Sequence, residues 1–249
     1  MNQPPGPAPG GAVPQLPLAL RHPADQRFET FVGAPPGALG QLRALATGVA
    51  GDRIYLAGPP GTGKTHLALA ACAAAEAAGQ RAAYLPLRAA AGRVGDALDA
   101  LADAGSGHAP ALLALDGLDA IAGHREDEVA LFAFHDRARR AGLRVLYVAS
   151  VGPDRLPLVL PDLRSRLSQC ARIVLAPLDD AGRREVLRER ARRRGLALEE
   201  AALDWLLVRA GRDLAGLAAL LERLDRASLA AQRRITVPFL RQVLESPPA

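Results

Sequence analysis

Short apolar runs of strand length alternate with longer segments of helical spacing along the body of the chain, and this alternation is its clearest structural signal. Arg53–Ala57 reads as a strand that opens onto a glycine-rich loop, with a helix predicted over 64–78 behind it. Further strands are predicted at 82–85, 112–115, Arg144–Ala149 and 172–175, with helices at about 89–104 and 126–141 between them. Strands this uniformly apolar, joined mostly by helices, imply an α/β fold: a parallel five-stranded sheet covered on both faces. After Pro177 the pattern changes. Residues 179–194, 199–209, 213–231 and 238–244 carry helical spacing, Gly195 and Gly211 act as stops, and only 234–237 keeps any strand character. The expected organisation is an α/β domain over 21–177 and a small α-helical domain over 178–249.

The N-terminal stretch is different in kind. Residues 1–14 are rich in Pro and Gly and are expected to be a disordered tail. The apolar hexapeptide Gln15-Leu16-Pro17-Leu18-Ala19-Leu20 then precedes a polar segment at 21–26. It has the form of a short linear docking motif, or of a first strand laid against the domain.

Composition narrows the class. With 249 residues, 49% of them hydrophobic, the chain can bury a full core. No apolar run approaches the ~20 residues needed to span a bilayer. The N-terminus also lacks the basic start and apolar stretch of a secretory signal, so a soluble, cytoplasmic protein without membrane contact is expected. Cys72 and Cys170 form no CxxC, and the histidines at 22, 66, 108, 124 and 135 match no HExxH pattern, so neither a zinc site nor a disulfide framework is indicated. The net charge of +5 and pI near 10.0 admit nucleic-acid contact. Arginine enrichment also follows from a GC-rich genome, however. In the arginine run at 183–194, Glu185 with Arg188 and Glu189 with Arg193 stand at helical pair spacing. That spacing describes a solvated helix, with weak DNA contact as the alternative.

Gly58-Pro59-Pro60-Gly61-Thr62-Gly63-Lys64-Thr65 fits the phosphate-binding pattern GxxxxGK[ST] and lies between a predicted strand and a predicted helix. Lys64 is the one lysine in a chain with thirty arginines. A compact ammonium on a flexible stem reaches between phosphates in a tight loop where a planar guanidinium is too bulky. The glycines let successive backbone N–H groups turn inward, and the following helix points its positive end at the anion. Thr65 offers a hydroxyl to Mg²⁺, and Asp116, at the end of the strand Leu112–Asp116, offers a carboxylate that holds the metal through water. His66 joins the expected nucleotide-binding set. Gly117 occupies the position where a second acid would polarise an attacking water, with Asp119 as a nearby substitute.

With loop, acidic strand and helical C-terminal part in hand, the chain resembles the AAA+ ATPases. Within them it is most similar to the family of the replication initiator DnaA and its shorter relative Hda, the regulatory inactivator of DnaA. Beyond the loop, the resemblance rests on Leu115-Asp116-Gly117-Leu118-Asp119-Ala120-Ile121-Ala122-Gly123, on Leu160-Pro161-Asp162-Leu163-Arg164-Ser165-Arg166-Leu167, and on Leu224-Asp225-Arg226-Ala227-Ser228 leading to Ile235-Thr236-Val237-Pro238-Phe239. It implies an AAA+ sheet with a helical lid, bound ADP or ATP with Mg²⁺, and Arg166 as an arginine finger acting on the nucleotide of a neighbour. Gln15, Leu16, Leu18 and Leu20 match the QLxLxL peptide with which Hda proteins dock on the DNA polymerase III sliding clamp, its beta subunit. The body begins after about twenty residues and the chain ends at Ala249, without the helicase-interaction region and helix-turn-helix domain of DnaA.

The expected function is therefore negative regulation of replication initiation. In this reading a nucleotide-bound protein docks on the loaded clamp, meets DNA only through it, and stimulates hydrolysis of DnaA-bound ATP in trans. Head-to-tail contact or a homodimer is compatible with it. Three departures from the family pattern weaken hydrolysis in cis: Gly117, the lone polar Ser150 at the end of the fourth strand, and Ala215 where a lid sensor arginine is usual, with Arg212 nearby. An active AAA+ ATPase, such as a helicase loader or a DnaA-like motor, and a clamp-bound adaptor without activator chemistry are the alternatives.

Overall fold

The structure is a computed structural model that describes residues 26–102, 109–209 and 236–245. The clamp-type peptide at 15–20, the helix expected at 213–231, Gly211, Arg212 and Ala215 lie outside the described residues. Five strands, β1 (Arg53–Ala57), β2 (Ala82–Pro86), β3 (Leu112–Asp116), β4 (Arg144–Ala149) and β5 (Ala171–Val174), form one sheet in the order β2-β3-β4-β1-β5. Every pairing is parallel, and Tyr55 of β1 sits opposite Tyr147 of β4 and Arg172 of β5.

The strand pattern explains the layers. Side chains alternate across the sheet, so a strand buried on both faces is apolar at every position; all six residues of β4 are buried. Ile54, Leu56, Leu112, Ala114, Leu146 and Val148 face α1 (Ala38–Thr47) and α2 (Lys64–Ala77), where Leu42, Leu45, Leu67 and Ala71 complete one core. Tyr55, Leu113, Leu115, Val145 and Tyr147 face the other side. There α3 (Leu87–Ala90), α4 (Val94–Ala102), α5 (Arg125–Arg140) and α6 (Pro161–Ser168) supply Leu87, Leu98, Leu131, Phe134, Leu163 and Leu167. Each fully buried leucine or phenylalanine contributes about 1.5–3 kcal/mol of transfer free energy.

Three local expectations are corrected. The helix predicted at 89–104 is two helices, because Gly92 adopts φ +81° and Asp127 of α5 accepts from the N–H groups of Gly92 (2.7 Å) and Val94 (3.1 Å) at the break. Val237 is not strand; it opens the last helix, whose Phe239 N–H reaches Thr236 Oγ1 at 3.5 Å. The helix α1 was not foreseen. Its buried Ala38, Leu42, Leu45 and Ala46 carry helical spacing, and buried Arg144 of β4 donates to the carbonyls of Leu45 (2.6 Å) and Ala46 (2.8 Å) at its C-terminal end. A cation there complements the negative end of the helix.

The C-terminal helices α7 (Asp180–Arg193), α8 (Glu200–Arg209) and α9 (Val237–Glu245) share a small core of Leu187, Ala191, Leu203, Leu206, Phe239 and Leu240. Asp179 caps α7 by accepting from Gly182 N at 2.7 Å. The arginine run forms an amphipathic helix with one solvated face, while Arg183 is buried at its start. Arg188 pairs with Glu185 and Glu200, and Arg192 and Arg193 hold Glu189, whose pKa their hydrogen bonds lower to about 2. No helix among the described residues is long and apolar enough to cross a membrane.

Candidate functional site

The glycine loop occupies the carboxyl end of β1, beside the point where the strand order reverses, a crevice where open α/β sheets bind ligands. Gly58 N–H donates to Ala149 O at 3.3 Å, fastening the loop to the end of β4. A Cβ on Gly58 would lie 2.8 Å from both Leu175 O and Thr62 Oγ1, so only glycine lets these backbones approach. Gly63 caps α2 at φ +85°, and a Cβ there would strike the Phe31 ring at 2.6 Å. Thr62 Oγ1 (2.8 Å) and Lys64 Nζ (2.9 Å) both donate to Pro59 O, so the lysine folds over its own loop. Burial lowers the Lys64 pKa, against the pull of Asp116 and Asp119. Pro60, like Pro59, is exposed on the outer curve of the loop.

The acidic side is assembled across the sheet. Thr65 Oγ1 donates to Asp116 Oδ2 at 2.6 Å, and the hydroxyl of Tyr84, in the middle of β2, donates to the same oxygen at 2.8 Å. Burial, with Asp116 beside it, raises the Tyr84 pKa and keeps the phenol a donor. Asp119 has a different partner. Its carboxylate accepts from the N–H of Ser150 at 2.9 Å and from the Ser150 hydroxyl. The substitute acid and the polar residue ending β4 thus bind each other.

A cavity of about 250 Å³ lies over the loop, lined by residues 61–66, by Thr30, Phe31 and Val32, and by Leu178, Val186 and Arg190. His66 meets Phe31 edge-on, with ring centroids 5.4 Å apart, and its Nε2 lies 2.8 Å from Arg27 O. Because that carbonyl only accepts, Nε2 carries the proton. The apolar end of the cavity suits a planar base, and the end at Lys64 and the start of α2 suits phosphates. The set fits a nucleotide with Mg²⁺, which the Thr65 hydroxyl and the Asp116 carboxylate would hold. Sequence reasoning missed Thr30, Phe31, Val32, Tyr84, Leu178, Val186 and Arg190. Only Phe31 and Val32 left a signal, since two of the five phenylalanines of the chain fall within residues 28–31.

Arg166 belongs to a separate surface. It lies on α6, beside Asp52 and Arg53 where the chain enters β1, at the opposite end of that strand from the glycine loop. Glu128 anchors the segment before α6. This fully buried carboxylate accepts from Gly123 N (2.7 Å), Val159 N (3.1 Å) and Leu160 N (2.7 Å). The two arginines of α6 then diverge. Arg164 turns inward to donate to Leu158 O at 2.6 Å, whereas Arg166 lies over the Phe132 ring, 5.9 Å from its centroid, with Nε 3.4 Å from Asp136 Oδ1. No hydrogen bond uses the terminal nitrogens of Arg166 among the described residues.

Comparison with known proteins adds two family matches. Residues 54–177 match the model described as ATPase family associated with various cellular activities (AAA), and residues 180–244 match that described as Hda, lid domain. The chain is an AAA+ protein related to Hda and DnaA. Among solved structures, domain III of the Thermotoga maritima replication initiation protein DnaA superposes with a TM-score of 0.72 at 18% identity, covering 91% of this chain and 98% of that one. AMPPCP-bound DnaA from Aquifex aeolicus gives 0.65 at 19% identity over 84% and 67%. The Thermotoga maritima RuvB Holliday junction branch migration motor gives 0.63 at 19% over 90% and 72%. These likenesses establish the AAA+ fold. The helices after β5 are its lid, and Val186 and Arg190 are lid residues facing the loop.

Proposed function

We propose that this AAA+ protein is an Hda-type negative regulator of replication initiation. It binds ADP or ATP with Mg²⁺ in the cavity over the glycine loop and docks on the DNA-loaded sliding clamp, in the cytoplasm, through Gln15, Leu16, Leu18 and Leu20. It then presents Arg166 to the ATP held by DnaA. The observation that carries the reading is the state of Arg166: braced by Asp136 and Phe132 on an anchored helix, away from its own glycine loop, with its outer guanidinium edge unpaired. The match to the Hda lid supports it.

In the step so promoted, water attacks the γ-phosphorus of DnaA-bound ATP, the bond to the bridging oxygen breaks, and ADP, phosphate and a proton leave. The guanidinium stabilises the charge on the transferring phosphoryl oxygens, an effect worth about 10³–10⁵ in rate in switch systems. The protein's own nucleotide is held instead. Gly117 offers no carboxylate and Asp119 is bound to Ser150, so little or no hydrolysis in cis is expected. Mg²⁺, when bound, offsets the phosphate charge.

The test is hydrolysis of DnaA-bound ATP reconstituted with DNA-loaded clamp. Wild type is expected to accelerate it, Arg166→Ala to abolish the acceleration, and the pair Leu16→Ala with Leu18→Ala to abolish both acceleration and clamp pull-down. No acceleration by wild type would refute the reading. Turnover of its own ATP at about 1 s⁻¹ or faster would replace the activator with a motor.

A further inference from the structure

At the end of β1 remote from the glycine loop, a second cavity of about 510 Å³ opens between the residues entering β1, the last turns of α5 and the end of α6. Three guanidinium groups from three elements line it: Arg53 at the start of β1, Arg139 on α5 and Arg166 on α6. Counter-charge is thin. Asp52 is 80% exposed and 3.8 Å from Arg53, and Asp136 Oδ1 lies 3.4 Å from Arg166 Nε, too loosely placed for a hydrogen bond. The Arg53 side chain is only 14% exposed, yet its Nε is buried without a hydrogen-bond partner among the described residues. The Arg139 side chain makes no hydrogen bond or ion pair among them.

The other titratable groups of the wall carry no charge near neutral pH. His135 is buried against Tyr147, whose hydroxyl lies 2.9 Å from Nδ1, and burial together with Arg53 lowers its pKa to about 4. The Cys170 thiol is raised by burial to about 11. Arginine does not relieve such crowding by losing its proton. What relieves it is an anion whose oxygens match the guanidinium forks, and phosphate is the anion arginine pairs with in this bidentate way.

We propose that this cavity is a phosphate site in which Arg53 and Arg139 flank Arg166, and that it receives the terminal phosphate of a nucleoside triphosphate carried by a neighbouring AAA+ subunit. The inference rests on reading Arg166 as a finger and extends it from one residue to a built pocket. The same chemistry would accept free phosphate, so the experiment has two arms.

In the first arm, the full-length chain saturated with ADP is titrated calorimetrically with tripolyphosphate. Binding by wild type that is lost in Arg53→Gln/Arg139→Gln supports a phosphate site, and absence of binding by wild type counts against it. In the second arm, stimulation of DnaA-bound ATP hydrolysis is expected to fall about tenfold in Arg139→Gln, an exposed position where folding is not at stake, and to be partly rescued by Arg139→Lys. Stimulation within twofold of wild type in Arg139→Gln and in the double variant, with Arg166→Ala still inactive, would overturn the pocket while sparing the finger. Failure of wild type to stimulate at all would instead sink the finger reading. Tripolyphosphate binding would then assign the cavity to free phosphate.

Discussion

The two ends of β1 are built on opposite principles. At the carboxyl end, backbone dominates: Gly58 and Gly63 shape the loop, and the polar side chains there already hold one another, Lys64 on Pro59 O, Thr65 and Tyr84 on Asp116, Ser150 on Asp119. At the amino end, side chains dominate, and three arginines from separate elements turn toward one space with donors in hand. An internally satisfied site is suited to holding a ligand in a fixed pose. One whose charges are only loosely paired is suited to meeting something brought from outside, because adding a partner there changes the electrostatic balance most. On the proposed function, the contrast corresponds to retention at one end and action on a neighbour at the other.

The sharpest break of that contrast is a crossed pair of variants. Arg166→Ala should lower trans-stimulation about 10³-fold while fluorescent-nucleotide affinity stays within twofold. Lys64→Ala should weaken nucleotide binding about 100-fold, and weakening of less than threefold would mean that the loop does not hold phosphates. Next in size, Glu128→Gln replaces a carboxylate that accepts three backbone N–H groups. Urea unfolding should show a loss of about 2–3 kcal/mol, with trans-stimulation impaired more than nucleotide affinity. Equal loss of both would argue that Glu128 supports the domain as a whole and has no particular hold on α6.

Smaller effects sharpen the picture. Tyr84→Phe removes one of two donors to Asp116 Oδ2 and should change the Mg²⁺-dependent part of nucleotide affinity about fivefold, leaving the Mg²⁺-free affinity alone. A change in both would place Tyr84 in general packing. His135 gives the pH test. Its folded pKa, about 4, lies below the ordinary 6.5, so between these values the unfolded chain binds more protons. Stability contributed by the neutral ring is complete above about 6.5 and should be lost as pH falls toward about 4. Urea midpoints measured across that window should fall in wild type and flatten in His135→Leu.

The elements at the two ends were unequally legible. The five strands, the loop and the helices behind them announced themselves because periodicity and glycine spacing are local properties. The break at Gly92 was missed because its cause, the Asp127 carboxylate accepting from Gly92 and Val94, is 33 or more residues away in the chain. The same holds for α1, whose end is stabilised by Arg144 from β4. In the candidate site, Lys64, Thr65 and Asp116 were readable as motif positions. Tyr84, Val186 and Arg190 were not, since each acquires meaning only by being folded against the loop.

The amino-acid order alone therefore determined the α/β sheet with its helical lid and marked Lys64, Thr65 and Asp116 as motif positions, because these are encoded in neighbouring residues, whereas Arg166 was followed because its segment resembles that of the DnaA and Hda family. Tertiary structure decided which groups are already engaged. It joined Asp119 to Ser150, turned Arg164 inward and Arg166 outward, and gathered Arg53 and Arg139 around it. Charge pairing depends on distances across the sheet, and no spacing along the chain carries that information.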